Sequence, residues 1–513
     1  MSWGTLPAEL RQMILEFLTP TYLEMFGSER PLCPGQLLED LDKSTSRVLQ
    51  RRLYVKRIHL RISLAEYDCT GCRQEEDEKS QKKNNAIFTK AITDLLTVLS
   101  KWPETKRQEH PKTPASERGI YLDTSTFAPS DCRHRFRDLW LQPDYPIWFT
   151  LDAYADNDLD FPAERERAAQ LQAEEPFHDP SHGWKNGHQG PVALGARKRV
   201  TETLTLSGKG STLPVVNLVT SLAIRRQSTR AIKTDSAKKL LDVFPNLHHF
   251  THEPWHAATA ERQQIFERDY LSLLQTLPRR LPHLQALTLF QDNSPPFGPT
   301  ENKRNQQNTL VRPNTSSLTK LYASFLVDAY DFFHGFGALP PQLDELQTWD
   351  ALKRLCLTSP WLRPTIATGQ RQQVLARAGR AATLMPRLER MVLWNGGEGF
   401  VYIVMYNRAG YYGGSPPTLV LVSSFRSARH HDFSPDVVAV WSEVPRRRAA
   451  AAAAAGEVVD GGDLQVSVWN FPNSRYEGAT TGFGETLDVV WGDLVVDVVH
   501  GITALCMELR RTS

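Results

Sequence analysis

Residues 284–289 read Leu-Gln-Ala-Leu-Thr-Leu, and residues 352–357 read Leu-Lys-Arg-Leu-Cys-Leu. This L-x-x-L-x-L spacing puts alternate leucines on one face of a short strand, with a further leucine at its entrance. Relaxed versions stand at Leu247/Phe250, Leu318/Leu321 and Leu388/Met391/Leu393. The leading leucines lie 37, 34, 34 and 36 residues apart. Four of the five follow a Pro or another break, itself preceded by helical spacing: Ala237–Phe244, Tyr270–Leu277, Leu343–Trp349 and Val374–Met385. A helix-plus-strand unit of this size cannot bury its own apolar face, so stacking of units has to supply the core. The period exceeds the ~20–29 residues of standard leucine-rich repeats. The pattern therefore predicts an irregular leucine-rich-repeat-like α/β solenoid over residues 201–397. An ordinary α/β domain rich in leucine would give the same recurrence by chance.

Upstream, Val55–Leu64 alternates with Ile58, Leu60, Ile62 and Leu64 on one face, the signature of a half-buried strand. Asn85–Lys101 has helical spacing through Ile87, Ile92, Leu95, Leu96 and Leu99, and Leu37, Leu38, Leu41, Val48 and Leu49 suggest a helix near 36–52. Residues 54–150 thus form an α/β segment leading into the repeats, interrupted by a Pro- and charge-rich loop at 103–118. The long charged runs, His, Gly and Pro of 151–200 suggest a loop-rich or disordered insertion. Past Gly396-Gly397, Phe400–Tyr406 is a further strand, and Arg446-Arg447-Arg448 precedes the low-complexity run Ala449–Ala455. Residues 398–513 form a divergent tail that is either an appended unit or partly disordered.

The chain has 513 residues, enough for two or more domains, and 60 Lys plus Arg against 58 Asp plus Glu. That balance gives no reason to expect nucleic acid. The basic clusters Arg133/Arg135/Arg137 and Arg225-Arg226 with Arg230 and Lys233 lack regular aromatic interleaving. They suit solvated faces or a grip on an acidic or phosphorylated partner. Six irregularly spaced cysteines fit a reducing compartment. Trp3, Pro7, Glu9 and Arg11 interrupt any signal peptide, and Asp488, Asp493, Asp497 and His500 interrupt the most apolar late stretch. A cytoplasmic or nuclear protein without a membrane partner is expected.

Cys69-x-x-Cys72 is the one spacing with chemical potential. Zinc would need two more ligands, for which Cys132 and His134 are the nearest later candidates. The acidic flank Gln74-Glu75-Glu76-Asp77-Glu78 disfavours a thiolate, so two thiols in a loop are expected instead. His178, His182 and His188 belong to a polar loop, where Pro180 separates the first two. No Gly-rich phosphate loop, nucleophile elbow or zinc-protease motif occurs, so neither catalysis, cofactor nor metal is expected.

Residues 6–18, Leu-Pro-Ala-Glu-Leu-Arg-Gln-Met-Ile-Leu-Glu-Phe-Leu, have a different character. Pro7 and Glu9 suit a first helical turn, and Leu10, Met13, Ile14, Phe17 and Leu18 make one apolar stripe before Thr19-Pro20. By itself such a helix could equally pack on the chain's own core. Its L-P-x-E-L pattern, followed by a leucine-rich array, resembles the F-box proteins. Several later stretches resemble a group of fungal F-box proteins: Glu66-Tyr67-Asp68-Cys69, Asn85-Ala86-Ile87-Phe88, His182-Gly183-Trp184, Glu253-Pro254-Trp255 and Trp394-Asn395-Gly396-Gly397. The resemblance runs over about residues 3–397.

It implies a non-enzymatic substrate adaptor. The N-terminal helix would bind the Skp adaptor of a cullin–RING ubiquitin ligase through Leu6, Pro7, Leu10, Ile14, Leu15 and Leu18, and the repeats would present a protein substrate. Residues 19–53 lack the Trp-bearing segment with which an F-box usually continues, so the module in 1–53 is incomplete. The alternatives are a repeat-type interaction scaffold that no longer engages the ligase, and a small zinc module at Cys69/Cys72.

Overall fold

The computed structural model describes residues 55–102, 119–131, 179–182, 193–207, 213–224, 230–291, 317–334, 336, 349–396, 402–410, 415–423, 432–456 and 462–468, and the backbone of 22–27, 184–185, 188–189, 397, 400–401 and 469–470. They form a mixed α/β structure around a twelve-stranded sheet whose spatial order is the chain order. Its strands are β1 (Tyr22–Gly27), β2 (Arg57–Ser63), β3 (Ile120–Phe127), β4 (Val219–Ile224), β5 (His249–His252) and β6 (Ala286–Phe290). They continue with β7 (Lys320–Asp328), β8 (Arg354–Thr358), β9 (Arg390–Gly397), β10 (Phe400–Asn407), β11 (Thr418–Ser423) and β12 (Gln465–Asn470). From β1 to β9 every pairing is parallel. Strand β10 runs antiparallel to both neighbours, and β12 pairs parallel with β11. The described residues also hold seven α-helices: α1 (Glu78–Leu99), α2 (Leu194–Val200), α3 (Thr234–Asp242), α4 (Ala260–Arg280), α5 (Ala329–Phe332), α6 (Thr368–Ala382) and α7 (Pro435–Ala454).

The leucine pattern becomes a ladder across the sheet. Ile58, Leu122, Leu222, Phe250, Leu287, Leu321, Leu355 and Met391 are successive register partners on β2 to β9. All eight are buried, and they share one hydrophobic cluster with Phe88, Ile92 and Leu95 of α1, Leu273 and Leu277 of α4, and Val374 and Leu375 of α6. The helices therefore cover one face of the sheet. Each such side chain contributes roughly 1.5–3 kcal/mol by leaving water. The entrance to each strand is also repeated. The carbonyl of His248 accepts from the amides of Gln285 and Ala286, that of Gln285 from Thr319 and Lys320, that of Thr319 from Lys353 and Arg354, and that of Lys353 from Glu389 and Arg390. The leading leucines Leu247, Leu284, Leu352 and Leu388 each donate their amide to the carbonyl three residues earlier. Backbone geometry and leucine spacing thus keep the same step.

Helix boundaries depart from the sequence reading where charge conceals them. Helix α1 starts at Glu78, not Asn85, because the acidic run is its N-terminus: Asp77 accepts from the Ser80 amide at 2.7 Å. Helix α4 starts at Ala260 and runs through Pro278 to Arg280. A proline so close to the end removes only a terminal bond, which is why it fails to stop the helix at Leu277. Helix α2 lies inside the span read as loop-rich. The helices expected near 36–52 and 343–349 fall outside the described residues, except Trp349, as do the opening helix 6–18 and the loop 103–118.

Beyond residue 397 the sheet continues. Trp441 of α7 is buried against α6, where its indole N–H donates to the Leu375 carbonyl at 3.0 Å and its ring lies 5.3 Å from that of Tyr406. A Cβ at Gly379 would come within 2.8 Å of Val440, so glycine lets the two helices approach. The alanine run is the outer end of α7, an ordered helix in the part of the tail whose composition suggested disorder.

The next rung of the ladder, Leu60–Thr124–Ile224–His252–Leu289–Ala323–Leu357–Leu393, contains one imidazole. His252 is buried, and its Nδ1 is hydrogen-bonded to the Tyr270 hydroxyl at 3.0 Å. Burial lowers its pKa to about 4. Below the ordinary value of ~6.5 the unfolded chain takes up a proton that the folded chain refuses, so stability is lost as pH falls toward 4. Denaturant titrations should show wild type losing about 2–3 kcal/mol more than His252→Phe between pH ~7 and ~4.5. Equal losses would contradict a neutral, buried His252.

Candidate functional site

In parallel sheets, ligands gather outside the carboxyl ends of the strands, and here those ends carry the densest polar chemistry. The loop after β2 (residues 64–77), the turn after β3 (128–131), helix α2 and Arg230 after β4 meet there. Glu76 and Arg230 form the centre, both buried. Arg230 donates from Nε and Nη2 to Glu76 Oε1 at 3.2 and 3.1 Å, and its Nη1 lies 3.9 Å from Asp131. Burial disfavours the guanidinium charge, but Asp131 and Glu76 overcome this and raise its pKa above the ordinary value. Asn84 donates to the same Glu76 oxygen at 3.0 Å, and Arg199 stands 3.6 Å from it. The Tyr67 hydroxyl donates to Asp131 at 2.7 Å, while burial and then that carboxylate push its pKa up. Arg199 stacks over the Tyr67 ring at 4.4 Å and donates to the carbonyls of Gly71 and Gln74. A second, half-exposed layer pairs Glu75 with Lys198 at 2.7 Å and with Arg262 at 2.5 Å.

Arg230 is therefore neither on a solvated face nor positioned to grip a partner. Its charge is consumed internally, by a residue 154 positions away. Arg225, Arg226 and Arg133/Arg135/Arg137 lie outside the described residues, as do all six docking candidates, Leu6, Pro7, Leu10, Ile14, Leu15 and Leu18. The same holds for Cys132, His134 and His178. Cys69, Cys72 and Cys356 carry thiols rather than disulfides. Among the described residues no group of three or more His, Cys, Asp or Glu is arranged to hold a metal ion.

No local signal near Cys69 marks the group that approaches it. His182 Nε2 lies 3.5 Å from Cys69 Sγ, across 113 positions, and His182 Nδ1 lies 2.5 Å from Asp179 Oδ2. The Asp179 side chain also accepts from the Ser181 hydroxyl, and this bond first, then His182, lowers its pKa to about 2. Arg73 donates to the Ser181 carbonyl and ties the two loops together.

The face of the sheet opposite the helices is polar at one end and apolar at the other. Its central rung reads His59–Asp123–Ala223–Thr251–Thr288–Tyr322–Cys356–Val392–Met405–Val420. Cys356, Val392, Trp394, Ile403, Met405 and Val422 make a separate buried cluster on that face. Phe325, at φ +62° in a register shift of β7, wedges edge-on between Phe290 and Trp394 at 5.7 and 5.1 Å. A non-glycine residue there costs about 1–3 kcal/mol, which the aromatic contacts and the 2.7 Å bond from its amide to Thr358 Oγ1 offset. Nearby, Asp328 accepts from Ser359 Oγ at 2.6 Å, and burial raises its pKa to about 6.

A family model described as a family of unknown function (DUF6546) matches residues 237–467, from within α3 to within β12. No curated protein and no solved structure matches the chain.

Proposed function

We propose that the chain is a non-enzymatic substrate-recognition adaptor of F-box type, with a helical docking segment ahead of an irregular leucine-rich-repeat-like α/β solenoid. The observation that carries this reading is the ladder: the same strand entrance and the same buried position recur across β5 to β9 at the 34–37-residue step of the sequence. An array stacked in chain order offers an extended surface to a protein partner. The docking role rests on the resemblance of residues 6–18 to the first F-box helix, an amphipathic element that would lie in an apolar groove of the Skp adaptor.

A second reading is a repeat-type interaction scaffold that no longer engages the ligase. One observation favours it: Tyr22–Gly27 pairs in parallel with β2, so the stretch after residue 20 joins the sheet where an F-box would continue with helices. Affinity purification of the full chain separates the two. The adaptor reading expects the Skp adaptor to co-purify with wild type and to vanish with Leu10→Glu/Ile14→Glu. Its absence from the wild-type preparation favours the scaffold.

A further inference from the structure

We propose that Cys69 is a base-assisted nucleophilic thiol that reacts with low-molecular-mass disulfides, with Cys72 as its resolving partner. Cys69 is exposed, and Cys72 is buried behind it with Sγ 3.1 Å from the Cys69 carbonyl. Two successive turns, closed by Gly71 N–H to Asp68 O and Gln74 N–H to Gly71 O, hold the pair together. His182 is within proton-transfer distance of the exposed sulfur, and Asp179, on the other ring nitrogen, fixes the imidazole's orientation. This is the nucleophile, base and orienting carboxylate arrangement that activates a thiol.

The acidic flank that argued against a thiolate is compensated. Glu75 is paired with Lys198 and Arg262, Glu76 with Arg230, and Asp77 caps α1. Asp68 is bound within its own turn by Thr70 and Gly71, and the Arg199 guanidinium reaches the Gly71 carbonyl.

The reaction balances without another reagent. Cys69 gives its proton to His182 Nε2 and attacks one sulfur of RS–SR. That S–S bond breaks, and RS⁻ leaves with the proton from His182. The Cys72 thiol then attacks Cys69 Sγ, forming the Cys69–Cys72 disulfide and releasing the second RS⁻, which takes the Cys72 proton. Two protein thiols are oxidised and one disulfide is reduced. This chemistry is independent of any ligase role.

The test is site-resolved mass spectrometry of the full-length chain. With iodoacetamide at neutral pH, Cys69 should be alkylated about tenfold faster than in His182→Gln. Asp179→Asn should slow it, and Asp179→Glu should restore part of the rate, a rescue that a merely structural role would not give. With oxidised glutathione, wild type should form the Cys69–Cys72 disulfide, and Cys72→Ser should accumulate the Cys69 adduct. Circular dichroism checks that each variant is folded, and a folded Asp179→Asn tests the base if His182→Gln is not. Equal Cys69 rates in wild type and in the folded variants would overturn the proposal, as would failure of both glutathione products. So would a bound zinc ion that shields Cys69 until it is chelated.

Discussion

Exchange of Arg230 for methionine is expected to lower the free energy of unfolding by about 3–5 kcal/mol. The guanidinium is 1% exposed, and it neutralises Glu76 through two hydrogen bonds and approaches Asp131. Methionine keeps most of the volume but leaves two buried carboxylates without their principal counter-charge. The loss comes from that orphaned charge rather than from the pair's net worth, so the double variant Arg230→Met/Glu76→Gln should recover part of it. Denaturant unfolding followed by circular dichroism measures both. A loss below about 1 kcal/mol in the single variant would mean that the cluster is well hydrated, as in a surface ion pair.

Trp441→Ala carries the second large effect, again about 3–5 kcal/mol. The ring fills the seam between α6 and α7, touches Tyr406 on β10 and satisfies the Leu375 carbonyl. Truncation leaves a cavity that the Gly379 contact cannot close, because that contact already sits at the limit of approach. Trp441→Phe should cost less by keeping the ring volume. The informative point is cooperativity. If the strands after residue 397 belong to the same folding unit as the ladder, the whole transition shifts. A separate early transition for the last third of the sheet would contradict this.

The ladder was legible because its signal is local and repeated. Leu284, Leu287 and Leu289 mark a strand within six residues, and the next copy confirms it. Strand β2 was equally plain, since one of its faces is polar. Strand β4, Val-Thr-Ser-Leu-Ala-Ile, is buried at every position and shows no alternation. Helix α7 was hidden by its polyalanine end, which fits a helix by propensity but has the composition of low-complexity sequence. The site was largely illegible. Glu76 finds Arg230 and Cys69 finds His182 across more than a hundred residues, and neither end of either pair carries a local mark of its partner. Arg230 looked like surface charge and His182 like loop, because only the sheet's carboxyl edge brings their loops together.

Binding of the purified full-length chain to purified Skp adaptor, measured by isothermal titration calorimetry, tests the adaptor reading most directly. That reading predicts a complex that Leu10→Glu/Ile14→Glu weakens about a hundredfold or more, since two apolar anchors are lost from one groove. Unchanged affinity in the double variant, or no heat of binding with wild type, would contradict it.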